Sequence, residues 1–169
     1  MSITPPDSVG RIAGALRPEM LNALDQDLLA GLRFSASHGG KVLLAGDMEQ
    51  GQKILLALSA ALQYESKWPL LVISPAQLRS TWSEEAHRWL GPTTSVFPVS
   101  SEADVKNAEC LSSSWVIVTS YALLPCFSEA WLTKDRVIIV DESQQLRLAT
   151  VALQLGAPRF EKMPAGRGR

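Results

Sequence analysis

The chain has little cysteine, little histidine and almost no net charge. Its two cysteines, Cys110 and Cys126, stand far apart, and the two histidines, His38 and His87, add no cluster. Neither a disulfide framework nor a Cys/His metal site is indicated, and both thiols are expected to be free in a reduced intracellular setting. Sixteen Lys plus Arg balance seventeen Asp plus Glu, for a formal net charge of −1. That excludes a global basic field as the means of holding nucleic acid, so any such binding has to be local. No apolar run approaches the roughly 18 residues of a membrane span, and Met1–Gly10 has no apolar signal core. A soluble protein is expected. What is present is a 46% hydrophobic content over 169 residues, enough for one domain with a sizeable core.

Apolar periodicity divides the chain into alternating strands and helices. Ile12 to Phe34, with Leu21, Leu24, Leu28 and Leu32 at helical spacing, predicts one or two helices, and Gly39-Gly40 ends them. Lys41 to Ala45 reads as a short buried strand and Ile54 to Leu62 as a helix. Leu70 to Ile73 is a second strand, followed by an amphipathic helix over Leu78–Leu90 with Trp82 and Trp89 on one face. Ser95–Val99 is a third short strand; Ser100–Ser114 is polar and weakly patterned. Trp115–Thr119 is a strand, and Tyr121–Trp131 a short helix interrupted at Pro125. Val137-Ile138-Ile139-Val140 is the most β-branched run and ends in Asp141-Glu142. The order predicts an α/β fold, a mainly parallel sheet flanked by helices, with ligands at the carboxyl ends of the strands. Residues 1–11 are expected to be a loose leader, 12–157 the folded lobe and 158–169 a basic tail. The tail carries Arg159, Lys162, Arg167 and Arg169; a solvated terminus is the plainer reading, contact with phosphates the sharper one.

Two segments carry candidate chemistry. Gly46-Asp47-Met48-Glu49-Gln50-Gly51-Gln52-Lys53 lies between a strand and a helix, where a P-loop wraps phosphates in backbone N–H groups at a helix N-terminus. A P-loop also needs a lysine on the β and γ phosphates and a hydroxyl on magnesium, and those two places hold Gln52 and Lys53. The acidic pair fits the other half of such a site: Asp141 in the magnesium shell, and Glu142 orienting the attacking water. The plain alternative is a solvated strand end. The five tryptophans read as core or rim packing, since most flank apolar runs.

Several blocks carry a wider likeness. They are Gly31-Leu32-Arg33-Phe34, Gly39-Gly40, Val42-Leu43-Leu44-Ala45, Asp47-Met48 and Gly51; then Trp68-Pro69-Leu70-Leu71-Val72-Ile73-Ser74-Pro75, Thr81-Trp82 and Arg88-Trp89-Leu90; then Val116-Ile117-Val118-Thr119-Ser120-Tyr121 and Val137 to Ser143. In this order they resemble the first ATPase lobe, RecA-like in fold, of the Swi/Snf-type helicase-like ATPases. The annealing-helicase branch, whose members rewind DNA and remodel stalled forks, is the most similar. The resemblance implies ATP and Mg²⁺ as cofactors, DNA as partner and a nuclear location. It also implies DNA contacts at Ser74-Pro75 with the helix after it and at Thr119-Ser120-Tyr121, and an adenine-reading glutamine near Leu28 and Gln26.

Four positions depart from the family pattern: Glu49 replaces a glycine, Gln52 the lysine, Lys53 a threonine and Gln144 a histidine. Gln52 removes the main phosphate cation, and Lys53 offers a metal donors but no lone pair. Glu49 and Lys53, four apart, are expected to pair and fill the pocket. For Lys53 to act as the missing lysine one residue late, a bulge after Gly51 is required, because one residue turns a helix by about 100°. The family's second lobe, with its arginine finger, and the first lobe's Ser/Gly-Thr-Pro turn are not in the chain, which implies an incomplete lobe with an open sheet edge. A missing lobe or a protein partner would cover it. Three functions remain: a DNA-dependent ATP-driven translocase or annealing lobe, a non-hydrolysing remnant that binds DNA or protein, and a truncated product without independent function.

Overall fold

The computed structural model describes residues 14–45, 48–132, 136–147 and 161–162. The expected leader, Gly46 and Asp47 of the loop, and most of the basic tail lie outside the described residues. The chain divides into two compact units, Met1–Gln63 with Arg159–Arg169, and Tyr64–Pro158.

The first unit is built on helices α1 (Pro18–Ala23), α2 (Gln26–Ser37) and α3 (Gln50–Leu62). Pro18 opens α1 at its first position, where a missing N–H costs nothing. Asp25 caps α2, its carboxylate accepting the Leu28 N–H at 2.8 Å. Met20, Leu28, Leu32, Ile54, Leu56 and Leu58 are fully buried, and α2 packs on α3. Gly39 and Gly40, at φ 62 and 77, end α2 in the left-handed region, and the Gly40 N–H reaches back to the Ser35 carbonyl at 2.9 Å. Strand β1 (Val42–Leu43) follows, shorter than the expected Lys41–Ala45. It pairs in parallel with Glu161–Lys162, a strand within the segment read from sequence as tail.

The second unit is a four-stranded parallel sheet with helices on its faces, the α/β architecture expected of a RecA-like lobe. The strands are β2 (Leu70–Ser74), β3 (Val96–Pro98), β4 (Val116–Ser120) and β5 (Val137–Val140), in the spatial order β3-β4-β2-β5. Every residue of β2 and β4 is buried, which explains their unbroken apolar runs. Residues Leu71, Ile73 and Ile117 alternate toward one face, where they meet Val105, Leu111, Leu124, Phe127 and Leu132. Helix α4 (Arg79–Leu90) packs on β3 and β4, burying Trp82 and Ala86. Arg136 enters β5 with its guanidinium 3.6 Å from the centre of the Trp131 ring.

The polar stretch Ser100–Ser114 is not a loop. It folds into α5 (Glu102–Lys106) and α6 (Ala108–Ser113). A capping box starts α5, with Ser101 and Asp104 exchanging side-chain and backbone hydrogen bonds, and Asn107 caps α6. Serine followed three residues later by an acid was the available signal; the apolar period was too short to reveal it. The interrupted segment after β4 is a 3₁₀ turn, Tyr121–Cys126 with Pro125 inside it, followed by α7 (Glu129–Leu132).

Thr119 is fully buried in β4 and its hydroxyl has no hydrogen-bond partner. An unsatisfied buried hydroxyl costs about 1–3 kcal/mol. Replacing it with the isosteric valine is therefore expected to raise the unfolding free energy by about 1 kcal/mol in urea denaturation.

Candidate nucleotide site and acidic strand end

In the first unit the loop runs from β1 into α3, and the helix begins at Gln50 with Glu49 as its N-cap residue. Glu49 has extended backbone (φ −62, ψ 152) and its side chain caps nothing. The Lys53 N–H bonds to the Glu49 carbonyl at 3.0 Å, an ordinary first helical turn. Helix α3 is continuous from Gln50 to Leu62, without the bulge that Lys53 requires to replace the lysine one residue late. The expected Glu49–Lys53 ion pair does not form among the described residues. Its physical basis fails, because Glu49 lies outside the helix and does not share the i, i+4 face. Met48 is half-buried, Glu49, Gly51 and Gln52 are exposed, and Lys53 is half-buried. A Cβ placed on Gly51 would meet nothing within 4 Å. Leu28, near the expected adenine contact, is buried in the core, and Gln26 is exposed at the start of α2.

In the second unit the acidic pair leaves the carboxyl end of β5. The Asp141 N–H bonds to the Ile73 carbonyl at 2.8 Å, extending the β2–β5 ladder by one residue. One carboxylate oxygen of Asp141 accepts the indole N–H of Trp82 at 2.9 Å, and the other the backbone N–H of Glu142 at 3.0 Å. Tyr121 donates its hydroxyl to the Asp141 carbonyl at 2.5 Å, with the Glu142 carbonyl 3.3 Å away. Glu142 stands at φ 53, a left-handed backbone that costs a non-glycine residue roughly 1–3 kcal/mol unless its surroundings hold it. Tyr121 is what holds it here. The Gln144 side-chain amide donates to the Glu142 carboxylate, so the glutamine in the histidine place is tied to the acidic pair.

Ser74 ends β2 with Pro75 just after it, and Thr119 and Ser120 end β4, with Ser74 in register with Ser120. All four are buried, and the Ser74 hydroxyl donates to the Pro75 carbonyl at 3.2 Å. Exposed surface at this edge begins just after them, at Ala76, Gln77 and Ala122. Trp82 and Tyr121 are the residues that sequence reasoning missed as holders of the acidic pair. Both lie within quoted motifs, Thr81-Trp82 and Val116 to Tyr121, but nothing local links position 82 or 121 to position 141.

The donor set at the loop does not fit a Mg·ATP complex of the family design. Lys53 has no lone pair for a metal, and Gln52 brings no charge to phosphate.

No family model matches the chain. It is 37% identical over 117 residues to the "SWI/SNF-related matrix-associated actin-dependent regulator of chromatin subfamily A-like protein 1" of Xenopus laevis, covering 69% of this chain and 12% of that protein. It is 32% identical over 127 residues to the mouse "DNA annealing helicase and endonuclease ZRANB3", covering 72% and 12%. The chain belongs to the Swi/Snf-type helicase-like family. A Caenorhabditis elegans homolog of the chromatin regulator shares 27% over 130 residues, covering 77% of this chain and 19% of its own. The chain therefore spans about an eighth of the length of the first two Swi/Snf relatives.

Burial pushes the Tyr121 hydroxyl well above the ordinary tyrosine range, reinforced by the Asp141 and Glu142 charges. The folded form thus holds this proton more tightly than the unfolded chain does. Its contribution is complete below the unfolded value near 10 and is lost as pH rises toward the folded value. Unfolding free energy should fall above about pH 10. Tyr64 is also raised by burial, so denaturation of Tyr121→Phe in parallel isolates the Tyr121 share: the alkaline decline should flatten, at a cost of about 1 kcal/mol at neutral pH.

Proposed function

We propose that this chain supplies the DNA-facing, acidic-strand part of the first ATPase lobe of an annealing-helicase-like protein, and that it does not hydrolyse ATP. The observation that carries the reading is the mismatch between its two halves. Asp141 and Glu142 sit in a turn fixed by Trp82, Tyr121 and the β2–β5 ladder, an arrangement suited to a magnesium and water station. The loop that should deliver the nucleotide carries Gln52 and Lys53 in place of lysine and hydroxyl. A phosphate that reached the start of α3 would still meet backbone N–H groups and the positive end of the helix dipole, but without the charge-assisted bond of the lysine. ATP and Mg²⁺ belong to the family design; weak nucleotide binding without turnover is the reading for this chain.

DNA as partner and a nuclear location are supported by the relatives, which are described as a regulator of chromatin and a DNA annealing helicase. The contact is assigned to Ser74-Pro75 and Thr119-Ser120 through the exposed turns that follow them. The buried side chains set the shape of the strand ends; the backbone and Gln77 meet the phosphates.

Phosphate release should stay at background with and without forked DNA, while DNA binding should weaken steeply with added salt. The combined Glu49→Gly, Gln52→Lys, Lys53→Thr variant should gain Mg·ATP affinity by calorimetry. DNA-stimulated phosphate release by the unaltered chain would overturn the reading. Gly51→Ala gives an independent check. It is expected to stabilise the protein by about 0.5–1 kcal/mol, since the helix start has room for the methyl group. A loss of nucleotide affinity in the same variant would mean that phosphate does approach this backbone.

A further inference from the structure

We infer that the open edge of β5 is a pairing surface for a second copy of this chain, the two β5 strands running antiparallel about a twofold axis at Ile139. Strand β5 ends the order β3-β4-β2-β5, and among the described residues it is bonded along one side only. Val137 to Val140 are all half-buried, whereas β2 and β4 are wholly buried. The run Val137-Ile138-Ile139-Val140 is β-branched throughout, with no proline, glycine or charge to blunt the edge.

The ladder decides which backbone groups face outward. The Asp141 N–H donates to the Ile73 carbonyl, and alternate residues of a strand turn their main-chain groups to opposite sides. Val137 and Ile139 therefore bond toward β2, while Ile138 and Val140 point away. No described residue bonds to those outward N–H and C=O groups. Unpaired main-chain groups on a half-buried strand are a template for another strand. The opposite edge of the sheet is closed to such pairing. Strand β3 spans only Val96–Pro98, and the bond from the Val99 N–H to the Val118 carbonyl puts Pro98 at an outward place, where it has no N–H to offer. Pairing can thus join two β5 edges and stop there.

The sequence of β5 selects a copy of itself. Antiparallel strands related by a twofold axis set one residue opposite its own copy, and with Ile139 on the axis Ile138 meets Val140 of the second copy, both of them outward-bonding. The same register brings Arg136 level with Glu142 of the second copy, a cation opposite a carboxylate at each end. An axis at Ile138 would instead set Arg136 against Val140, and one at Val140 would set Ile138 against Glu142. The Arg136 guanidinium lies on Trp131, and its Nε and Nη1 have no hydrogen-bond partner. A carboxylate brought alongside compensates that charge.

Sedimentation equilibrium of the full chain should show a monomer–dimer exchange, with no larger species, as the concentration rises to about 100 µM. Val140→Pro removes an outward N–H and none that β2 uses, so it should weaken the dimer by about tenfold or more. Arg136→Glu and Glu142→Arg should each weaken association by about tenfold, and the double variant should recover the association of the parent. That recovery tests the register whether or not the proline variant folds. A monomer over the whole range, open-ended association, or a double variant no better than the single ones would each overturn the inference.

Discussion

Strand β2 is the constraint on which the second unit depends. It is paired in parallel on both sides, with β4 through all five residues and with β5 through four. A parallel strand buried on both faces has no water to turn to, so each N–H and C=O must find its partner in the ladders. That requirement locks the register of the neighbours, and the register aligns Ser74, Ser120 and Asp141 at one edge. The same ladders fix the backbone of Trp115 at the other end of the sheet. The backbone at both ends of the sheet is thus set by one set of hydrogen bonds.

The acidic turn shows how tertiary contacts maintain a costly local conformation. Glu142 in the left-handed region would relax in isolation, and Asp141 would be a solvated strand end. A phenol from the turn after β4 and an indole from α4 converge on this pair and satisfy three of its oxygen atoms. The phenol and the indole are neutral donors that hold the turn by hydrogen bonds.

Much of this was legible in the sequence because periodicity and turn chemistry are local. The strands of the second unit, the break at Gly39-Gly40 and the interruption at Pro125 all follow from residue type and spacing. Helices α5 and α6 were harder to see, since their stability comes from Ser101, Asp104 and Asn107 at the caps and not from an apolar stripe. The predicted Glu49–Lys53 pair failed for a related reason. Spacing of four implies contact only if both residues are helical, and the backbone at Glu49 is extended.

The sequence by itself determined the α/β class, the Swi/Snf likeness and the chemical defect at Gln52 and Lys53, because these depend on residue identity along short stretches. Tertiary structure alone decided that Trp82 and Tyr121 hold the acidic pair, that Ser74, Thr119 and Ser120 are buried, and that Trp68 and Trp115 meet edge to face. Each joins residues from elements distant in the chain. Their meeting depends on strand order and register, which the hydrogen-bond needs of the whole sheet determine and no local pattern encodes.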